Sequence, residues 1–515
     1  MRELPDFRWV IVGVIIIALL IVTAITSYTQ PSVDTTVITS SLDVDNGDLK
    51  INWDQYPTIN VELNGTYKID KSGVYHLTGN LDDGSITINS TKAEVKLILD
   101  NVSLSNSNGP VIECYEAEDL VIELNGNNYI TDSTSYEATT DEDVMGAVYS
   151  KSDLTFQGDG KLYIKADYGD AIVGKDDIKF NSGTYEIEAA DDAIRGKDSV
   201  YIVNGNFNIN TTAHCIKTTN VLDTGKGFIL VENGNFNLNS TKGKGLRATK
   251  TVQIQNGNMI IDTFDDAIHS DNYVDIVDGN ININAGDDAI HANTELIIDG
   301  GQTKITKAYE GLEAQVVTIN NGNINLTTND DGINAGGGAD ESSKNRPGAN
   351  PFNTDENCVI NINGGDIYIN SGGDGIDSNG WIYINGGNTT IDGPTNNGNS
   401  SLDFGLGIIM NGGEATAIGS SGMAESLGNT SNIFNVSIYL SSIQPAGTNI
   451  KITNSKNEII MEHTSIKQFS HIAFGSNKLF IGETYTININ DEPYDSFTIS
   501  EITTTIGKTN NAFKR

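Results

Sequence analysis

One aliphatic residue recurs along this chain at intervals close to 22, and no other feature limits the possible folds as strongly. It falls at Ile172, Ile194, Ile216, Leu246, Ile268, Ile290, Leu312, Ile333 and Ile376, giving spacings of 22, 22, 30, 22, 22, 22, 21 and 43. The lines SGTYEIEAADDAIRG (182–196), NGNMIIDTFDDAIHS (256–270), DGNININAGDDAIHA (278–292), NGNINLTTNDDGINA (321–335) and NGGDIYINSGGDGIDS (363–378) align on it without gaps of consequence. Self-similarity at such a period is the mark of a solenoid. The interval of 43 reads as two coils joined through the irregular stretch 336–357, and the interval of 30 as one coil carrying a loop of about eight extra residues.

Within each unit, NFNIN (206–210), NININ (280–284) and DIYIN (366–370) alternate polar with apolar residues, the period of a half-buried strand. A second strand, such as SVYIV (199–203), YVDIV (273–277), TELII (294–298) or WIYI (381–384), precedes an Asn-Gly or Gly-Gly turn. No stretch of the body sustains a helical period. The leucine-rich repeats of similar length need a helical or L-x-x-L-x-L segment, which is missing, so the fold class expected is all-β, a parallel β-helix.

The alignment turns flanking positions into columns. The residue before the aliphatic one is always small: Ala171, Ala193, Cys215, Gly245, Ala267, Ala289, Gly311, Gly332 and Gly375. Two positions before it stand Asp170, Asp192, His214, Lys244, Asp266, Asp288, Glu310, Asp331 and Asp374; one position after it stand Arg195, Lys217, Arg247, His269, His291, Glu313, Asn334 and Asp377. A further acid precedes the first column at Asp191, Asp265, Asp287 and Asp330. Asp tolerates turns, so these acids could be a solvated corner. Stacked strands lie about 4.8 Å apart, however, and like charges at that spacing repel by roughly 3–4 kcal/mol at an effective dielectric of 20. A divalent ion would relieve this. Calcium (Ca2+) takes six to eight oxygens at about 2.4 Å, whereas magnesium wants a tighter octahedron and zinc more His or thiolate than His269 and His291 offer. The expected metal ligands are Asp265, Asp266, Asp287, Asp288, Glu310, Glu313, Asp330, Asp331, Asp374 and Asp377. In the earlier coils Arg195, His214, Lys217, Lys244 and Arg247 change the sign of the edge, either neutralising it internally or offering a place for acidic sugars.

Composition narrows the partners. With 31 Lys+Arg against 68 Asp+Glu the formal charge is −37, which excludes binding to a nucleic-acid backbone. Three distant cysteines, Cys114, Cys215 and Cys358, match neither a disulfide framework nor a metal site and read as small buried hydrophobes. Trp9–Tyr28 has no charged residue and is long enough to span a bilayer as a helix. A cleaved signal peptide is the competing reading, but its apolar core would be shorter. Arg2 and Arg8 before the span place the short amino end in the cytoplasm by the positive-inside bias, with the bulk of the chain outside the cell. The expected organisation is a cytoplasmic tip and membrane anchor (1–30), a linker (31–58), the β-helix (59–422), a small carboxy-terminal β module (423–505) closing the solenoid's open end, and a tail (506–515).

Several strings also look familiar. SGVYHLTGNLDDGSITI (72–88), VKLILDNVSLSNSNGPVI (95–112), AVYSKSDLTFQGDGKLYI (147–164) and DDAIRGKDSVYI (191–202) resemble the calcium-binding, right-handed parallel β-helix carbohydrate-binding family of polysaccharide-degrading anaerobes. QFSHIAFGSNKLFIGETYTI (468–487) resembles that family's carboxy-terminal β module. The resemblance implies a cell-surface binder of cellulose-like or acidic polysaccharides such as polygalacturonate, with a fold similar to pectate lyases. Those lyases carry a D-D-G-x-D-like calcium cluster, met here with one departure each by Asp330, Asp331 and Asn334 and by Gly373, Asp374 and Asp377.

Three functions follow. A binder would use calcium to bridge its carboxylates to uronates, with Trp381 and Tyr383, and Tyr368 one rung earlier, as outward sugar-stacking surface. A lyase would need a base to remove the proton α to the uronate carboxyl, for which Lys307 is the candidate. A surface adhesin would use calcium only to stiffen the solenoid.

Overall fold

The computed structural model describes residues 42–44, 51–136, 145–336 and 354–508. The solenoid makes about 14 turns, and everything described below belongs to one unit, Asp43–Arg515. A typical coil contributes three strands. In one, Ile194–Gly196 forms the first face, Ser199–Ile202 the second and Asn206–Thr211 the third. Each pairs in parallel with its counterpart a coil later, Ile216–Thr218, Phe228–Val231 and Asn235–Ser240. The result is a three-faced parallel β-helix.

Alternation produces the core. Along Asn206–Thr211 the side chains of Phe207, Ile209 and Thr211 turn inward while the Asn residues between them face outward. The recurring aliphatic column is in register from Ile172 to Ile376 and fully buried. Aromatic rings stack in the same way: Tyr185 on Phe207 at 4.8 Å and Phe207 on Phe236 at 5.0 Å between centroids. Stacking of like on like lets each coil fill its neighbour's groove without new shapes. The three cysteines are free and buried, in keeping with the hydrophobic role expected of them. The Asn-Gly turns between second and third faces also have a local cause. Asn256 Oδ1 accepts the Gly257 N–H at 2.7 Å, and Gly257 sits at φ 131°, which disfavours any side chain.

The interval of 30 is one coil with an insertion, as expected, since Ile216 pairs with Leu246 and Ser199 with Phe228. The interval of 43 is a correction. Ile333 pairs directly with Ile376, Val317 with Ile360 and Ile324 with Ile367, so this is one coil with a long insertion rather than two. An insertion that happens to be about one coil long mimics a missing rung in the spacing. Both insertions leave the solenoid at the same corner, between first and second faces.

The last third-face strand, Glu414–Gly419, pairs antiparallel with Phe469–Ser476, which also pairs antiparallel with Asn435–Gln444. A four-stranded antiparallel sheet follows, in the order Ile459–Thr464, Asn449–Asn454, Thr484–Ile489, Glu492–Thr498. The terminal coil's edge is thereby paired instead of being left as a template for another chain. The apolar run Trp9–Tyr28 lies outside the described residues. Among the described residues no helix is long and apolar enough to cross a membrane.

Candidate functional site

The acids of the first column line the corner that leads from third face to first. Asp170, Asp192, Asp266, Asp288 and Glu310 are buried, so this is not a solvated edge. One carboxylate oxygen of each of the four aspartates satisfies backbone from the next coil. The Asp192 N–H donates to Asp170 Oδ1 at 2.9 Å, His214 N–H to Asp192 Oδ1 at 2.9 Å, Asp288 N–H to Asp266 Oδ1 at 3.1 Å and Glu310 N–H to Asp288 Oδ1 at 3.2 Å. His214 plays the same part with a ring nitrogen, Nδ1 accepting the Lys244 N–H at 3.0 Å. Burial pushes its pKa down to about 4, which keeps the imidazole neutral and able to accept.

The second carboxylate oxygen meets a cation. Arg195 lies 2.6 Å from Asp170 Oδ2 and Lys217 Nζ 2.9 Å from Asp192 Oδ2. Lys244 Nζ reaches Asp265 Oδ1 at 2.9 Å and Asp266 Oδ2 at 2.5 Å, and His269 Nδ1 reaches the same Asp266 oxygen at 2.8 Å. Burial alone would raise the Asp266 carboxyl, but His269 and Lys244 hold it well below the usual range. His291 Nδ1 lies 3.2 Å from Asp288 Oδ2 and 3.1 Å from Glu313 Oε2, with Nε2 3.0 Å from Asn293 Oδ1. Its burial favours the neutral ring, yet the carboxylates of Asp288 and Glu313 at Nδ1, with the charge of Asp266, outweigh this and hold the pKa up at about 11. Four of the expected metal ligands, Asp265, Asp266, Asp288 and Glu313, therefore meet side-chain cations of the same chain. Asp287 converges with Asp265 and Asp266, one carboxylate oxygen from each within 4.8 Å of the others.

Further along the axis the chemistry changes. Where Arg195 and Lys217 reach back to the preceding acid, Asn334 donates Nδ2–H to Glu310 Oε2 at 2.8 Å. One coil later the corresponding residue is itself an acid, Asp377, in register with Asn334. Asp331, Asp374 and Asp377 bring one carboxylate oxygen each within 4.8 Å of one another. The Asp374 N–H donates to Asp331 Oδ1 at 2.6 Å, the same backbone bond as in the earlier coils. Asp331 is pushed well above the ordinary carboxyl value by burial and by the charges of Glu310, Asp374, Asp377 and Asp330. A Cβ at Gly373 would overlap the carboxylates of Asp330 and Asp331, so only glycine leaves them this room. Asn334 is buried, and its Oδ1 has no hydrogen-bond partner among the described residues. The donors offered here are all oxygen, the ligand type that hard cations take.

The aromatic candidates separate. Trp381 and Tyr383 share the second face, half-buried, with ring centroids 6.0 Å apart. Tyr368 is on the third face, where its hydroxyl donates to Asp392 Oδ2 at 2.7 Å. Asp392 also meets Ser465 Oγ at 2.7 Å and His463 Nε2 at 3.1 Å, tying this coil to the carboxy-terminal strands. Lys307 is exposed at the end of the third-face strand Gln302–Lys307 and makes no ion pair among the described residues. Two features escaped the column reading. Asp153, Asp176 and Asp177 converge at the start of the second face, where Lys226 Nζ lies 2.8 Å from Asp177 Oδ2. The Asn residues of the third face form ladders along the axis. Both repeat with the coil, but they lie in columns away from the aliphatic residue used for alignment.

The family model described as carbohydrate-binding domain-containing protein matches residues 63–311 and 254–343, together more than half of the chain. A relative of the same description from Acetivibrio thermocellus is 31% identical over 166 residues, which cover 31% of this chain and 57% of the relative. The chain thus spans little more than half the length of that relative. A solved structure described as the polysaccharide lyase-like protein from C. thermocellum, in a gadolinium derivative, aligns with a TM-score of 0.39 and 26% identity, over 44% of this chain and 96% of its own. On the extent of the family match, this parallel β-solenoid belongs to the carbohydrate-binding domain-containing family.

Proposed function

We propose that the protein is a calcium-dependent binder of acidic polysaccharides, held at the cell surface by Trp9–Tyr28 with its solenoid outside. The observation that carries this reading is the convergence of Asp331, Asp374 and Asp377, in a coil where an acid, Asp377, occupies the column that Arg195 and Lys217 hold in earlier coils. Calcium held by these three carboxylates, with Asp330 next to Asp331 and Asn334 in register with Asp377, would supply a positive centre on a chain of net charge −37. Calcium accepts six to eight oxygens, so three protein carboxylates leave positions for the carboxylate and hydroxyls of a uronate. Burial of Asp331 among acids makes the empty arrangement costly and so favours capture of the ion. Trp381 and Tyr383, on the face that follows Asp377, offer aromatic surface for the apolar side of a sugar ring.

The test is retention of the full chain on immobilised polygalacturonate with calcium and with chelator. Retention in calcium and release by chelator are expected. Equal retention in both would remove calcium from the account. Ultraviolet absorbance of unsaturated uronates in the same incubation would instead show elimination, and so a lyase.

A further inference from the structure

The third face carries a surface unlike the acidic corner. Its outward side chains form three rows that run along the solenoid axis, with successive members about 4.8 Å apart. In the first row Asn235 Nδ2 donates to Asn206 Oδ1 at 2.9 Å and Asn258 Nδ2 to Asn235 Oδ1 at 3.1 Å. In the second, Asn208 Nδ2 donates to Glu186 Oε2 at 2.7 Å and Asn237 Nδ2 to Asn208 Oδ1 at 2.8 Å. In the third, Asn239 Nδ2 donates to Asn210 Oδ1 at 3.2 Å and Asn284 Nδ2 to Asp262 Oδ1 at 2.9 Å. A primary amide has two N–H donors and an oxygen with two lone pairs. An amide inside a ladder uses one donor and one lone pair, so it still has one of each to present, in an orientation its neighbours fix.

Charge is confined mainly to the amino-proximal coils, where Lys165, Asp167, Glu186 and Glu188 line the surface. The strands Asn206–Thr211, Asn235–Ser240, Asn258–Thr263 and Asn280–Ala285 contain one ionisable side chain, Asp262, in a chain of net charge −37. The surface is also concave. Three adjoining depressions of about 350, 330 and 380 Å³ follow it from Tyr129 to Asn282. Apolar platforms punctuate the amides. Ile260 is 58% exposed within the second row, and Tyr129, 46% exposed, stacks on Tyr163 at 4.7 Å. On its other side Tyr129 pairs with Ser103, whose side chain is too small to cover the ring.

We propose that the third face, from Tyr129 to Asn282, binds a neutral polysaccharide lying along the solenoid axis, without calcium. The inference rests on the carbohydrate-binding reading and gives it a second surface with a different ligand class. Hydroxyls both donate and accept, and so match amides that retain one of each function. Sugar rings present apolar faces that suit Tyr129 and Ile260. An uncharged chain avoids the repulsion that the protein's net charge imposes on an anionic one.

Affinity electrophoresis of the full chain tests this, in gels containing hydroxyethylcellulose or polygalacturonate, each with calcium and with chelator. The neutral polymer should retard the chain equally in both conditions. Ile260→Glu with Tyr129→Ala should weaken that retardation by roughly tenfold or more. Should the double variant melt early, Ile260→Glu alone decides, because its side chain is exposed. Polygalacturonate retention with none by the neutral polymer overturns this inference alone, as does neutral retention that Ile260→Glu leaves intact or that chelator abolishes. Retention by neither polymer overturns the carbohydrate reading as well.

Discussion

Asp331, half-buried among acids, ties the stability of its corner to its own protonation. Its folded pKa lies well above the usual carboxyl value because of burial and four surrounding acids, so without calcium the unfolded chain gives up this proton first. Stability should then fall as pH rises past about 4 toward the raised folded value. Asp331→Asn removes that slope. The variant is expected to melt higher than the parent in chelator at neutral pH and to gain nothing from added calcium, as followed by thermal unfolding. His291 titrates in the opposite sense. Its folded pKa of about 11 exceeds the unfolded value, so its contribution is complete below about 6.5 and disappears as pH climbs through the folded value. Replacing it by Leu removes the cation between Asp288 and Glu313 and should cost about 3–5 kcal/mol in urea unfolding under mildly acidic conditions. A change under a tenth of that would mean the buried pairs do not hold the corner. The column positions of all these residues were legible in the sequence. Which acids meet a cation was not, because it depends on how far Lys244, His269 and His291 reach across coils, and spacing does not encode reach.

At the scale of one coil, the inward ladder was readable because its cause is local: alternation and a repeat that places Ile on Ile. Removing one rung should therefore have a local, cavity-type cost. Ile290→Ala is expected to destabilise by about 2–5 kcal/mol. Combined with Ile194→Ala, several coils away, the two losses should add to within about 0.5 kcal/mol; strong non-additivity in denaturant unfolding would contradict nearest-neighbour stacking. The misread element was the interval of 43, and the error bears on the site. Read as two coils it separates Asp331 from Asp374 by an extra rung, whereas the structure makes them adjacent, with the Asp374 N–H on the Asp331 carboxylate. Only pairing partners reveal such an insertion, since its length mimics the repeat.

For the whole molecule, the solenoid presents two unlike surfaces, an acidic corner culminating in Asp331, Asp374 and Asp377 and an amide-lined third face. Net charge was visible at once in composition, but its uneven distribution emerges only when columns become faces. The carboxy-terminal strands pair with Glu414–Gly419 and carry their own core around Val436, Phe474 and Tyr485. Truncation after residue 422 would expose that edge, and light scattering should then report concentration-dependent self-association. The central claim is that a divalent ion completes the acidic corner. An ion bound only by the folded state raises stability by about 2.7 kcal/mol at a hundredfold excess over its dissociation constant. The most direct measurement is the melting temperature of the full chain in calcium and in chelator, beside Asp377→Asn. The account predicts a higher melting temperature in calcium for the parent and none of that gain in the variant; equal melting in both conditions for the parent would contradict it.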